Sequence, residues 1–121
     1  MGLLGYIAIG MGASCNVAIL PTRVEVLAEL AQRYRYINIK LDKCGGLTEA
    51  LALADAATAL VLGLMVGNMC GTSLAMAPAF LLAQRCAYVD LDRPLLQSLD
   101  RANPMRYEGG MVGPPSAALW G

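Results

Sequence analysis

Histidine is missing from the sequence. Nucleophile schemes of the Ser-His-Asp or Cys-His kind need an imidazole as base, and His-bearing zinc sites need it as ligand, so both are excluded. Proton chemistry falls to Lys, Asp, Glu, Tyr or Cys. The four cysteines, Cys15, Cys44, Cys70 and Cys86, form no C-x-x-C pair, which argues against a clustered metal site and a disulfide framework. We read them as small buried hydrophobes in a reducing, cytoplasmic compartment. Charge is scarce too, at 15% of residues, nine basic against nine acidic. No run of Lys or Arg concentrates positive charge, and nothing marks a nucleic-acid partner. The loops "LDKCGG" and "MVGNMCGTS" fit neither G-x-G-x-x-G nor a P-loop, so a nucleotide site has no support.

The first 22 residues carry no charge at all. Such a stretch is long enough to cross a bilayer. Against that, no basic flank precedes it, and Gly2, Gly5, Gly10 and Gly12 weaken an isolated helix. A small protein anchored in a membrane through residues 1–20 stays as the lesser alternative. What the chain has in excess is apolar surface: 57% hydrophobic over 121 residues. A small domain has much surface to solvate, so the excess points to surface that something else covers.

Periodicity organises the rest. Thr22 and Glu25 stand in capping-box spacing, and Val24, Leu27, Ala28 and Ala31 follow at helical intervals, predicting a helix from Arg23 to Arg33. "YINIKL" alternates as a strand and Gly45-Gly46 breaks it. Leu47, Ala50, Leu51 and Ala54 then form a helical stripe. "VLGLMV" has strand length; Thr72 or Ser73 can cap the helix "LAMAPAFLLAQR", whose middle Pro78 should disturb. "AYVDLD" is a third strand, and a Gly/Pro-rich tail without periodicity follows. Strand centres near Ile39, Met65 and Val89 recur about every 25 residues, the spacing of βα units feeding a parallel sheet.

The faces of those strands differ. Ile37, Ile39 and Leu41 oppose Asn38, Lys40 and Asp42; Val89 and Leu91 oppose Tyr88, Asp90 and Asp92. Polar groups crowd the C-terminal strand ends on one face only, the pattern of a barrel whose lumen mouth carries the site. In matching register Gly63, Met65 and Gly67 face inward. Those glycines either leave room for a ligand or simply end the strand and allow close packing. A lysine at a water-poor mouth loses hydration of its charged form and becomes usable as a base near neutral pH, which singles out Lys40. A solvated or ion-paired lysine at a loop edge is the bland alternative, and Lys43 fits it. Asp90 and Asp92 share a face and suit gripping an ammonium group or acid/base work; otherwise they are a polar rim with caps for the next turn.

Together, "INIKLDKCGGLTEALALA", "LMVGNMCGTSLAMAPA", "YVDLDRPLL", "YEGGMVGPP" and the terminal "LWG" resemble the last three βα units and tail of the enolase superfamily. The mandelate racemase/muconate-lactonizing type is the nearest, and within it the dipeptide epimerases. The resemblance covers residues 22–121, with residues 1–21 an unmatched apolar lead. It implies an α/β fold, part of a (β/α)8 TIM barrel with about three C-terminal βα units. It also implies an isomerase that removes and returns a proton α to a carboxylate through a metal-stabilised enediolate. In that family the lysine of the "NIK" strand, here Lys40, is one of two acid/base lysines. The D-x-D, here Asp90 and Asp92, holds the substrate ammonium group, and the loop after the seventh strand, here Gly67, Asn68 and Met69, borders a small dipeptide. Magnesium is implied too, but its carboxylate ligands and the second lysine sit on earlier strands of relatives; this chain has no acidic residue before Glu25 and no lysine before Lys40. The expectation is a truncated barrel, inactive as an isolated chain. A non-catalytic module that pairs with itself or with a complementary barrel half is the alternative.

Overall fold

The computed structural model describes residues 24–121 together with two strand dipeptides, Ile7–Ala8 (β1) and Val17–Ala18 (β2). The rest of the expected apolar lead, its membrane-anchor reading, Cys15 and the Thr22 cap lie outside the described residues. No helix among the described residues is long and apolar enough to cross a membrane.

A 3-10 turn at Val24–Val26 leads into α1 (Leu27–Arg33), which buries Leu27 and Leu30. Then come β3 (Tyr36–Ile39), the single turn α2 (Leu41–Cys44), α3 (Leu47–Ala59), β4 (Gly63–Val66), α4 (Ser73–Ala83) and β5 (Tyr88–Val89). Strands β2, β3, β4 and β5 lie side by side in that order, all parallel. A second sheet pairs β1 antiparallel with β7 (Met111–Val112), which pairs with β6 (Tyr107–Glu108).

One face of the parallel sheet makes the core. Ile37, Ile39, Leu64, Val66, Val89 and Leu91 pack with Leu27, Leu53, Ala54, Met76 and Phe80 from the helices. Each large side chain removed from water there contributes about 1.5–3 kcal/mol. Helix α4 is buried on several sides at once, so its stability comes from packing and not from a single apolar stripe. It runs continuously through Pro78, which the sequence expected to disturb it.

Two further departures concern β3 and the tail. The alternation "YINIKL" suggests a strand through Leu41, but the strand stops at Ile39 and Leu41 opens α2. The cause is downstream: Gly45, at φ +104°, closes that turn by donating its N–H to the Leu41 carbonyl, and Gly46 leaves at φ 104°, ψ −168°, a region open to glycine alone. Asp42 is therefore on a helical turn and off the inner face of the strand. In the aperiodic tail, Gly109 and Gly110 both take positive φ, as a two-residue hairpin turn requires, and join β6 to β7.

Candidate active site

Register sets the inner face of the sheet. Ile39, Val66 and Val89 stand abreast in the core row, and Asn38, Met65 and Tyr88 form the row beside it on the other face. Hydrogen bonds carry the ladder one step past the strands: Gly67 donates to the Ile39 carbonyl (3.0 Å) and Asp90 to that of Val66 (2.9 Å). The next inner row is consequently Lys40, Gly67 and Asp90. Two strand spacings separate its ends, about 10 Å at the backbone.

Deeper on this face, the Tyr36 ring crosses above Gly63 and meets Tyr88 edge-on, with centroids 5.2 Å apart. Higher up, the Asn38 amide lies over Gly67. Of the two readings of these glycines, close packing describes both positions: their clearance is taken by side chains of β3. Asn38 Oδ1 and Asn68 Nδ2 are buried without a hydrogen-bond partner. Asn68 is itself buried, while Met69 is exposed at the loop.

Lys40, Asp90 and Asp92 are half-buried. Burial pushes the Asp90 carboxyl up from its ordinary value, and the hydrogen bond and charge of Asp92 push it further; Arg93 and Lys40 pull the other way. Two acids that feel one another's charge, with a lysine charge acting on the same carboxyl, can hold a ligand ammonium group or pass a proton. The capping alternative for the acid pair is not realised, since Asp92 precedes the 3-10 turn Arg93–Leu96 without a side-chain capping bond. Leu91, between the two acids, is fully buried in the core.

Other groups at this rim escaped the sequence. The Tyr107 hydroxyl donates to the Leu91 carbonyl at 2.6 Å. Asp100 accepts from the Ser73 backbone N–H (2.8 Å) and hydroxyl, and the Ser73 hydroxyl accepts the Met105 N–H at 3.0 Å. Of the two cap candidates, Thr72 stands at the N-cap without a side-chain capping bond, and the Ser73 N–H is capped instead by the Asp100 carboxylate, from 27 residues away. No local signal links positions so far apart. The Gly109-Gly110 pair is the signal that could have found the hairpin carrying Tyr107.

The cysteines divide. Cys44 and Cys86 are half-buried, but Cys70 is exposed in the loop after β4, which corrects its reading as a buried hydrophobe. Magnesium does not fit the described residues: no group of three or more acidic or Cys side chains among them could hold a metal ion.

Residues 20–118 match the family described as "Enolase C-terminal domain-like". The chain belongs to that family. Among curated relatives, this enolase-type chain is 50% identical over 95 residues to an N-acetyl-D-glutamate racemase of a Pseudoalteromonas species, covering 78% of the chain and 30% of the relative. It is 44% identical over 84 residues to the L-Ala-D/L-Glu epimerase of Escherichia coli K12, covering 69% and 26%. Among solved structures, an Agrobacterium tumefaciens enolase family member with homology to dipeptide epimerases, holding sodium and L-Ala-L-Glu, superposes with a TM-score of 0.78 at 55% identity, over 81% of this chain and 30% of that one. The parallel sheet with its helices is thus part of the family's (β/α)8 barrel. The chain spans under a third of the length of these relatives.

Proposed function

We propose that the chain forms the C-terminal part of a dipeptide-epimerase-like isomerase, acting on the α-proton of an N-acylated amino acid next to its carboxylate. Lys40 is the acid/base on one face of the α-carbon, Asp90 and Asp92 hold the substrate ammonium group, and Gly67, Asn68 and Met69 border the substrate. The observation that carries this reading is the inner row Lys40, Gly67, Asp90, with the charges of Lys40 and Asp92 both acting on the Asp90 carboxyl. The gap suits the task. In a dipeptide the N-terminal nitrogen and the second α-carbon are about 5 Å apart, and the side chains of Lys40 and Asp90 reach inward from backbones about 10 Å apart.

Inversion needs a second proton donor on the opposite face of the α-carbon. The other lysine, Lys43, is exposed beyond the strand, and among the described residues no group of three or more Cys, Asp or Glu side chains could hold a metal ion. On this reading the isolated chain is expected to show no epimerase activity. α-Proton exchange on L-Ala-L-Glu by the purified chain, lost in Lys40→Ala, would overturn that.

The activity itself is tested by supplying the preceding barrel segment of the Escherichia coli epimerase and following deuterium incorporation at the substrate α-carbon. Exchange abolished by Lys40→Ala supports the role of Lys40; exchange that survives contradicts it. Both curated relatives are named for glutamate derivatives, one acetylated, the other acylated by alanine. Only the dipeptide brings an ammonium group for Asp90 and Asp92. N-acetylglutamate run alongside should exchange more slowly, and the reverse order removes the ammonium-holding role.

A second reading has its own observation. Leu95, Leu96 and Leu99 are 61%, 69% and 82% exposed, more than a lone domain leaves in one stretch. They favour an assembly module that pairs with a second copy or a complementary barrel half. A monomer that persists in light scattering across concentrations argues against it.

A further inference from the structure

The stretch from Leu91 to Tyr107 is a strap closed on itself. Its two ends are joined by the Tyr107 hydroxyl donating to the Leu91 carbonyl at 2.6 Å. Its far side is tied to the start of α4 through Asp100 and Ser73, and Met105, itself buried, donates back to the Ser73 hydroxyl. Compact loops with adjoining ends hold shape by such internal ties. Leu91 is the residue between Asp90 and Asp92. Its side chain is fixed in the core, so a bond to its carbonyl fixes the peptide plane that leads into Asp92.

We propose that Tyr107 is a positioning residue, whose hydrogen bond to the Leu91 carbonyl sets the separation of the Asp90 and Asp92 carboxyls and so tunes their grip on a ligand ammonium group. The ammonium-holding part rests on the function proposed above; the setting of the acid pair does not. The geometry has the right donor. Tyr107 is half-buried on β6, and burial together with the charges of Asp100 and Asp92 keeps its hydroxyl protonated through the neutral range. The groups facing Asp90 are Asp92, Arg93 and Lys40. With the strap intact, the Asp92 charge stays near enough to act on the Asp90 carboxyl. Once it loosens they part, the mutual repulsion fades, and Asp90 returns towards an ordinary carboxylate.

The test is a side-chain carbon NMR titration of Asp90 in the full chain, comparing the native protein, Tyr107→Phe, and a chain with 4-aminophenylalanine at 107, which keeps a donor at the ring tip. The expected result is a lower Asp90 midpoint in Tyr107→Phe and the native midpoint with 4-aminophenylalanine. An unchanged midpoint in a folded Tyr107→Phe overturns the proposal, and so does a displaced midpoint in the 4-aminophenylalanine chain. Should Tyr107→Phe fail to fold, the latter chain still decides. In the complemented enzyme, Tyr107→Phe should weaken binding of L-Ala-L-Glu about fivefold, the worth of one ordinary hydrogen bond, and leave N-acetylglutamate unaffected. A shifted Asp90 titration without discrimination between these ligands would sustain the positioning role and sink the ammonium-holding one.

Discussion

The Asn38 side chain lies so close above Gly67 that a β-carbon at position 67 would stand 2.7 Å from Asn38 Oδ1. Gly67→Ala must displace that amide, and overpacking of this kind costs about 1–3 kcal/mol. Shortening the neighbour relieves the contact, so Asn38→Ala with Gly67→Ala should cost less than the sum of the single changes. Chemical denaturation of the four chains measures the coupling; strict additivity contradicts the contact.

Asp100 predicts a pH dependence of stability. Burial alone would raise its carboxyl, but hydrogen bonds from the Ser73 hydroxyl and backbone, the Arg101 backbone bond and the Arg101 charge together hold it below the ordinary value. A lowered native value means that the unfolded chain takes up the proton first. The contribution of Asp100 is complete above the unfolded value of about 3.9 and is lost as pH falls through the native one. Asp100→Ala should cost about 1 kcal/mol near neutrality, as removal of a helix cap does. That deficit should shrink in acid, and one that stays constant from pH 7 to below 3 argues against the cap.

Val61 adopts φ +61° at the turn between α3 and β4 with 91% of its surface exposed. A β-branched residue is strained in the left-handed region by about 1–2 kcal/mol. Asn tolerates it, and no packing is lost at so exposed a site. Val61→Asn should therefore stabilise the chain by about 1 kcal/mol, read as a higher melting temperature; a lower one contradicts the assigned backbone.

Thiol labelling should be ordered. Burial raises Cys44, and burial pushes Cys86 up to about 12 against the opposing Arg85 charge. Both are half-buried, whereas Cys70 is exposed. Brief alkylation near pH 8, mapped by peptide mass spectrometry, should mark Cys70 well before Cys44 and Cys86. Equal labelling of Cys70 and Cys86 in the folded chain excludes the packing around α4.

Much of this architecture was legible because it is local or periodic. The alternation in β3 and around Asp90 put Ile37, Ile39, Val89 and Leu91 in the core and Asn38, Lys40 and Asp90 opposite, as the structure has them, though not Asp42. The helical character of α3 followed from its stripe and its start from Gly45-Gly46. Legibility failed where one residue is answered by another far away. Asp100 caps α4 across 27 residues and Tyr107 bonds Leu91 across 16; neither spacing has a sequence period. The end of β3 was misplaced for a different reason: alternation continues through Leu41, but the left-handed Gly45 draws Leu41 into a helical turn. The glycines facing inward were recognised, yet their occupants, Tyr36 and Asn38, depend on side-chain directions that a pattern does not contain.

The central claim is that Lys40 and the Asp90–Asp92 pair face one another across Gly67. A zero-length carbodiimide joins an amine to a carboxyl only when the two can touch, and the chain has just two lysines, Lys40 and Lys43. Treating the folded chain and mapping its peptides should yield an amide between Lys40 and Asp90 or Asp92, with loss of one water, absent in Lys40→Met and not formed by Lys43. Links from Lys43 to that pair, or none from Lys40 while both acids are activated, would contradict the shared rim.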